Sequence, residues 1–62
     1  MKTIYIVTVN GKISQEAYST IEAAQKFVIG RTGIADIISR NYVIVEDTND
    51  NRYEIHDVKV QL

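Results

Sequence analysis

Asn10-Gly11 stands between two runs of strand-forming residues and constrains the fold more than any other dipeptide in this chain. A type I′ turn needs positive φ at both central residues, which Asn and Gly adopt at least cost. The pair therefore predicts a hairpin closed between Val9 and Lys12, with strands over Thr3 to Val9 and Lys12 to Tyr18. Because side chains alternate along a strand, closing the turn also sorts them onto two faces. Ile4, Ile6, Ile13 and Ala17 fall on one face. Tyr5, Val7 and Val9 fall on the other, beside Lys12, Ser14 and Glu16.

Downstream, Ser19-Thr20-Ile21-Glu22 fits a capping box, and Ile21, Ala24, Phe27 and Val28 recur at helical spacing. Gly30 is the expected terminator. Ile34, Ile37 and Ile38 follow at i, i+3, i+4, which predicts a short second helix over 34–40 in preference to a strand. Tyr42 to Asp47 reads as a third strand, Thr48 to Asn51 as a turn, and Arg52 to Leu62 as a fourth strand. In the fourth strand Tyr53 and Ile55 are odd-numbered while Val58, Val60 and Leu62 are even, a slip that predicts a β-bulge at His56-Asp57.

If the second loop pairs Asp47 with Arg52, Tyr42, Ile44, Tyr53 and Ile55 share one face and Val43 and Val45 the other. Strands one and three are then apolar on both sides and belong in the middle. The expected fold is α+β, ββα(α)ββ: a single domain over 1–62 with an antiparallel sheet in the order 2-1-3-4 and one main helix. One helical layer covers one sheet face. With Ile4, Ile6, Ile13 and Ala17 beneath the helix, Tyr5, Val7, Val9, Val43 and Val45 form an exposed stripe, the expected interface.

Composition makes that interface matter. A chain of 62 residues buries only about 60% of the surface its unfolded form exposes and often leans on disulfides, a metal or a second subunit. It contains no cysteine and one histidine, which excludes disulfides and thiolate zinc sites and leaves little for any metal. The expected partner is a second copy, as a homodimer, or another protein. A net charge of −1 supplies no electrostatic pull toward phosphate or anionic lipid. No run reaches the roughly 18 apolar residues of a membrane span, and no signal-peptide cleavage pattern follows Val9, so the expected compartment is the cytoplasm.

Catalytic signals are sparse. No serine sits in a nucleophile-elbow setting, so no catalytic residue and no cofactor is expected. Glu54 and His56 share a strand face, as an acid–base pair would need, but the reading adopted for them is a solvated face. Glu46, Asp47 and Asp50 lack the ligand spacing of a calcium loop and read as a polar turn. No metal site is expected.

Two segments resemble known families. Strand, Asn-Gly, strand and then Ala17-Tyr18-Ser19-Thr20-Ile21-Glu22-Ala23-Ala24 resembles a segment common in small uncharacterised phage and prophage accessory proteins, which implies an interaction protein that binds a host or phage protein. Val28-Ile29-Gly30-Arg31-Thr32-Gly33 resembles the Ile-Gly-x-x-Gly loop of KH domains. That resemblance implies single-stranded nucleic-acid binding through Gly30, Arg31, Thr32 and Gly33, with the glycines letting the backbone approach the sugar-phosphate chain. The chain departs from the KH pattern in its leading hairpin, in Asp36 where isoleucine is expected, and in lacking a third helix.

Overall fold

In a computed structural model, described over residues 2–61 except for the Gln15 side chain, the elements are β1 (Lys2–Val9), β2 (Lys12–Tyr18), α1 (Ile21–Thr32), β3 (Ile44–Glu46) and β4 (Arg52–Val60). They form one helix on an open four-stranded antiparallel sheet. Asn10 and Gly11 both have positive φ, 53° and 83°, and Val9 pairs with Lys12, the geometry that the turn chemistry demands. Leu62, read as the end of the last strand, lies outside the described residues.

The sheet order is β2-β1-β4-β3, which corrects the expected 2-1-3-4. Strand length explains the exchange. β4 runs alongside β1 from Lys2↔Val60 to Val9↔Tyr53 without a break, whereas β3 has three residues and can only cap an edge. The expected bulge at His56-Asp57 is absent from that ladder. The irregularity sits instead between β1 and β2, where Ser14, Gln15 and Glu16 lie opposite Val7 alone.

The β3–β4 register also differs by one residue, with Glu46 rather than Asp47 opposite Arg52. Asp47 is taken up by the loop: its Oδ1 accepts from the Asn49 and Asn51 amides at 2.8 and 2.9 Å, and its own amide donates to the Asn51 carbonyl at 3.0 Å. A one-residue slip turns over every side chain of a strand, so Val45 now shares the face of Tyr53, and Ile44 the opposite one.

These hydrogen bonds, the Asn51 amide first, hold the Asp47 carboxyl below its usual range. A carboxyl whose pKa is depressed by folding stabilises the fold above its unfolded pKa of about 3.9, and that contribution is lost as pH falls through the lower folded value. The Asp47→Asn variant is therefore less stable than the parent at neutral pH, with the gap closing below about pH 4. Urea unfolding at both pH values checks this; a gap that does not change with pH contradicts it.

The helix begins one residue later than a Ser19 cap requires. Thr20 is the N-cap, its hydroxyl accepting from the Ala23 amide at 3.2 Å. It also ends later than expected: Gly30 lies inside it, and Gly33, at φ 75°, is the left-handed C-cap whose amide donates to the Ile29 carbonyl. The second helix over 34–40 does not form. Residues 35–41 are successive turns with a single i→i+4 backbone bond, Arg40 N to Asp36 O at 3.0 Å, reinforced by the Asp36–Arg40 ion pair. One turn repays too little of the cost of helix nucleation, and Asn41 at φ 54° ends it. What the segment supplies is Ile37, fully buried with Val7, Ala24, Val28, Val45 and Tyr53 in the core. Gln25, 1% exposed, ties helix to loop through its Nε2, which donates to Asn41 Oδ1 and to the Tyr42 carbonyl.

Candidate interaction surface

The helix lies on the face of Tyr5, Val7 and Val9, so four of the five residues read as an exposed stripe are core or core margin. Val7 and Val45 are buried, and Tyr5 and Val9 are half-buried against them; Val43 alone is exposed. This correction follows from the β4 register. Ile55 and Tyr53 pair with Val7 and Val9, while Arg52, Glu54 and His56 alternate onto the other side. Apolar residues of the two central strands thus converge on the odd-numbered face, and the helix buries more there.

The other sheet face has no layer over it among the described residues. Its centre is Ile4 and Ile6 on β1, both half-buried, with Val58 of β4 opposite Ile4 and Ala17 of β2 opposite Ile6. Val60, Ile44 and Ile13 continue the apolar surface toward its edges, with Ile13 70% and Ile44 50% exposed. Charged groups sit at the ends: Lys2 beside Val60 at one, and Arg52, Glu54 and Glu46 at the other, where Arg52 Nε lies 3.7 Å from Glu54. His56 lies opposite Ile6, its Nε2 3.1 Å from Thr8 Oγ1.

Ile44, Val58 and Val60 were not assigned to an interface by sequence, although a signal was present. The phase change along β4 marks where its apolar side chains leave the helix side for the open side. Twelve helical residues span about 18 Å, whereas nine strand residues span about 30 Å, so α1 covers only part of β4.

The remaining candidates are placed as follows. Glu54 and His56 share the open face as expected, but Glu54 pairs with Arg52 and His56 with Thr8. No cluster of three or more His, Asp or Glu side chains suited to a metal exists among the described residues. Asp47 spends its carboxylate on its own loop. A groove of about 580 Å³ lies between β2 and the end of α1, lined by Lys12, Glu16, Tyr18, Phe27 and Arg31. Arg31 stacks on Phe27 at 5.4 Å, and burial followed by the charge of Glu16 raises the Tyr18 hydroxyl.

Gly30 to Gly33 form the last helical turn and its cap, with Thr32 Oγ1 donating to the Val28 carbonyl at 2.9 Å. A KH loop joins two helices, and this one leads into turns. The two glycines consequently have opposite expectations. At Gly30 an added Cβ meets nothing within 4 Å, so Gly30→Ala stabilises by roughly 0.5–1 kcal/mol through helix propensity. At Gly33 φ is positive, so Gly33→Ala destabilises by about 1 kcal/mol. Denaturation midpoints moving in opposite directions check both.

No helix among the described residues is long and apolar enough to cross a membrane. Comparison with protein-family models, curated proteins and solved structures finds no match for this chain.

Proposed function

We propose that this chain is a small non-enzymatic protein-interaction module that self-associates by burying the open face around Ile4, Ile6, Ala17 and Val58 against the same face of a second copy. The observation that carries this reading is an apolar sheet face left without a second layer. The dimensions agree with it. The chain measures 39 × 25 × 14 Å with a radius of gyration of 11.4 Å, against about 10.6 Å for a compact domain of this length. It exposes 4462 Å², where a folded monomer of its mass exposes about 4,000 Å².

Strands of 8, 7, 3 and 9 residues, at about 3.4 Å per residue and about 4.8 Å spacing, outline a face of roughly 440 Å². Two stacked faces bury about 900 Å², in the size class of weak, transient contacts. Charge favours like with like. Stacked antiparallel, the Lys2 end of one copy meets the Glu46 and Glu54 end of the other, twice over. An accessory role in a phage or prophage, binding a host or phage protein, accords with the small size and with the resemblance of the Ala17 to Ala24 segment.

Sedimentation equilibrium over a concentration series tests the self-association. The expected result is concentration-dependent self-association that persists in high salt, since the centre of the face is apolar. A strict monomer at concentrations up to about 1 mM, where binding of only about 4 kcal/mol is detectable, overturns it.

A further inference from the structure

The sheet has a second unfinished boundary, separate from its open face. Of its two edges, β2 is interrupted by the irregularity at Ser14 to Glu16, a device that spoils an edge for pairing. On the other side, β3 pairs only Arg52 to Glu54 of β4, and Val43 adds one bond by accepting from the Ile55 amide at 2.8 Å. His56 to Val60 continue in strand conformation, paired to β1 on one side and to nothing described on the other.

The direction of the backbone groups along this stretch follows from alternation. The Ile55 amide points outward to Val43, and the Arg52 carbonyl points inward to the Asn10 amide at 2.8 Å. In an antiparallel ladder successive residues alternate in this respect, so Asp57 and Lys59 turn their N–H and C=O groups outward. Both side chains are exposed, and Lys59 Nζ donates to Thr3 Oγ1 at 3.1 Å on the same strand pair.

We infer that this free edge pairs with the β4 edge of a second copy, antiparallel and in one register: Asp57 opposite Lys59 of the second copy, Lys59 opposite its Asp57, and Val58 opposite Val58. Three features select that arrangement. The outward groups of Asp57 and Lys59 form two hydrogen-bonded pairs, each exchanging both bonds. The charges are self-complementary about Val58, giving an opposite-charge cross-strand pair on each side of the two-fold axis. A shift of two residues in either direction sets Asp57 against Asp57 or Lys59 against Lys59, and a shift of one misaligns the outward groups. The length also fits: the pairing ends with Val60 opposite His56, one residue before the Ile55 amide that Val43 occupies, and Gln61 is already outside the strand.

The axis of such a pair is normal to the sheet. Both helices stay on one side, and the two open faces join into one surface of twice the area. The pairing requires nothing of the stacked-face contact and goes beyond it, so the two can be tested apart.

The test uses amide hydrogen exchange by NMR across a concentration series, in the wild type and in the Ile6→Glu variant, which disables the stacked face. The expected result is protection of the Asp57 and Lys59 amides that grows with concentration in both proteins. D57K and K59D each oppose like charges and weaken the pair by about tenfold, whereas the D57K/K59D double variant restores it. Unchanged exchange of the Thr8 and Ile55 amides, which face β4 and Val43, shows that each variant is folded. Asp57 and Lys59 amides that exchange freely at every concentration overturn the edge pairing, even where the wild type dimerises through its face. A double variant as weak as the single ones overturns the register.

Discussion

The Ile6→Glu variant is expected to lose the association made through the open face, so that at equal concentration its average mass falls below that of the wild type and only the edge pair remains, with near-normal unfolding. Ile6 is half-buried in the isolated chain, at the centre of the uncovered sheet face. Within the monomer, a glutamate there reaches water and stands across from His56, so the fold loses only part of one isoleucine's burial, about 1 kcal/mol. In a stacked dimer two such carboxylates are taken out of water with no cation at the centre of the face, since Lys2 lies at one end and Arg52 at the other. Removing the apolar contact and stranding the charge costs on the order of 3 kcal/mol or more, at least a hundredfold in dissociation constant. Lys26→Glu, exposed on α1 on the opposite side of the sheet, is the control and changes association little. Equal effects at the two positions, or none at Ile6, count against the stacked face.

The second large effect is on folding. Ile37→Ala is expected to remove about 3 kcal/mol of stability, within the range for truncating a buried isoleucine. Ile37 has no exposed surface and is the only fully buried residue of the segment between α1 and β3. That segment forms no helix, so it contributes little backbone cooperativity; it is held mainly by this side chain, by Ile34 at the core margin and by the two hydrogen bonds from Gln25. A domain of this size has a total stability of roughly 3–9 kcal/mol, so the loss is a large share of it. The expected fall in melting temperature is about 12–24 °C at the usual scaling for small domains. Ile37→Val, which keeps most of the volume, costs about 1 kcal/mol. If Ile37→Ala melts within a few degrees of the parent, the loop is not part of the cooperative unit.

Reading the chain as a sequence located most of its elements and misplaced their faces, and the particulars explain why. The hairpin at Asn10-Gly11 was legible because positive φ at two adjacent residues is a local demand that few dipeptides meet. The helix start was legible to within one residue because capping is local, with Thr20 doing what Ser19 was expected to do. The second helix was over-read, since Ile34, Ile37 and Ile38 have helical spacing but only Ile37 is fully buried, with Ile34 packed at the core margin. The β3–β4 register was not legible. It turns on Asp47 accepting from Asn49 and Asn51, which lengthens the loop by one residue and turns β3 over.

The interface shows the same division most clearly. The sequence by itself determined that β1 carries apolar side chains on both faces, that one helix covers only one of them, and that an apolar stripe is left over. It could not determine which face the helix takes. That choice belongs to the β4 register, which sets Tyr53 and Ile55 beside Val9 and Val7, and to the strand order that puts β4 in the centre. Period-2 alternation makes a strand's two faces equivalent until a neighbour from far along the chain breaks the tie. In this protein the tie is broken by residues more than forty positions away, and only the tertiary structure holds that information.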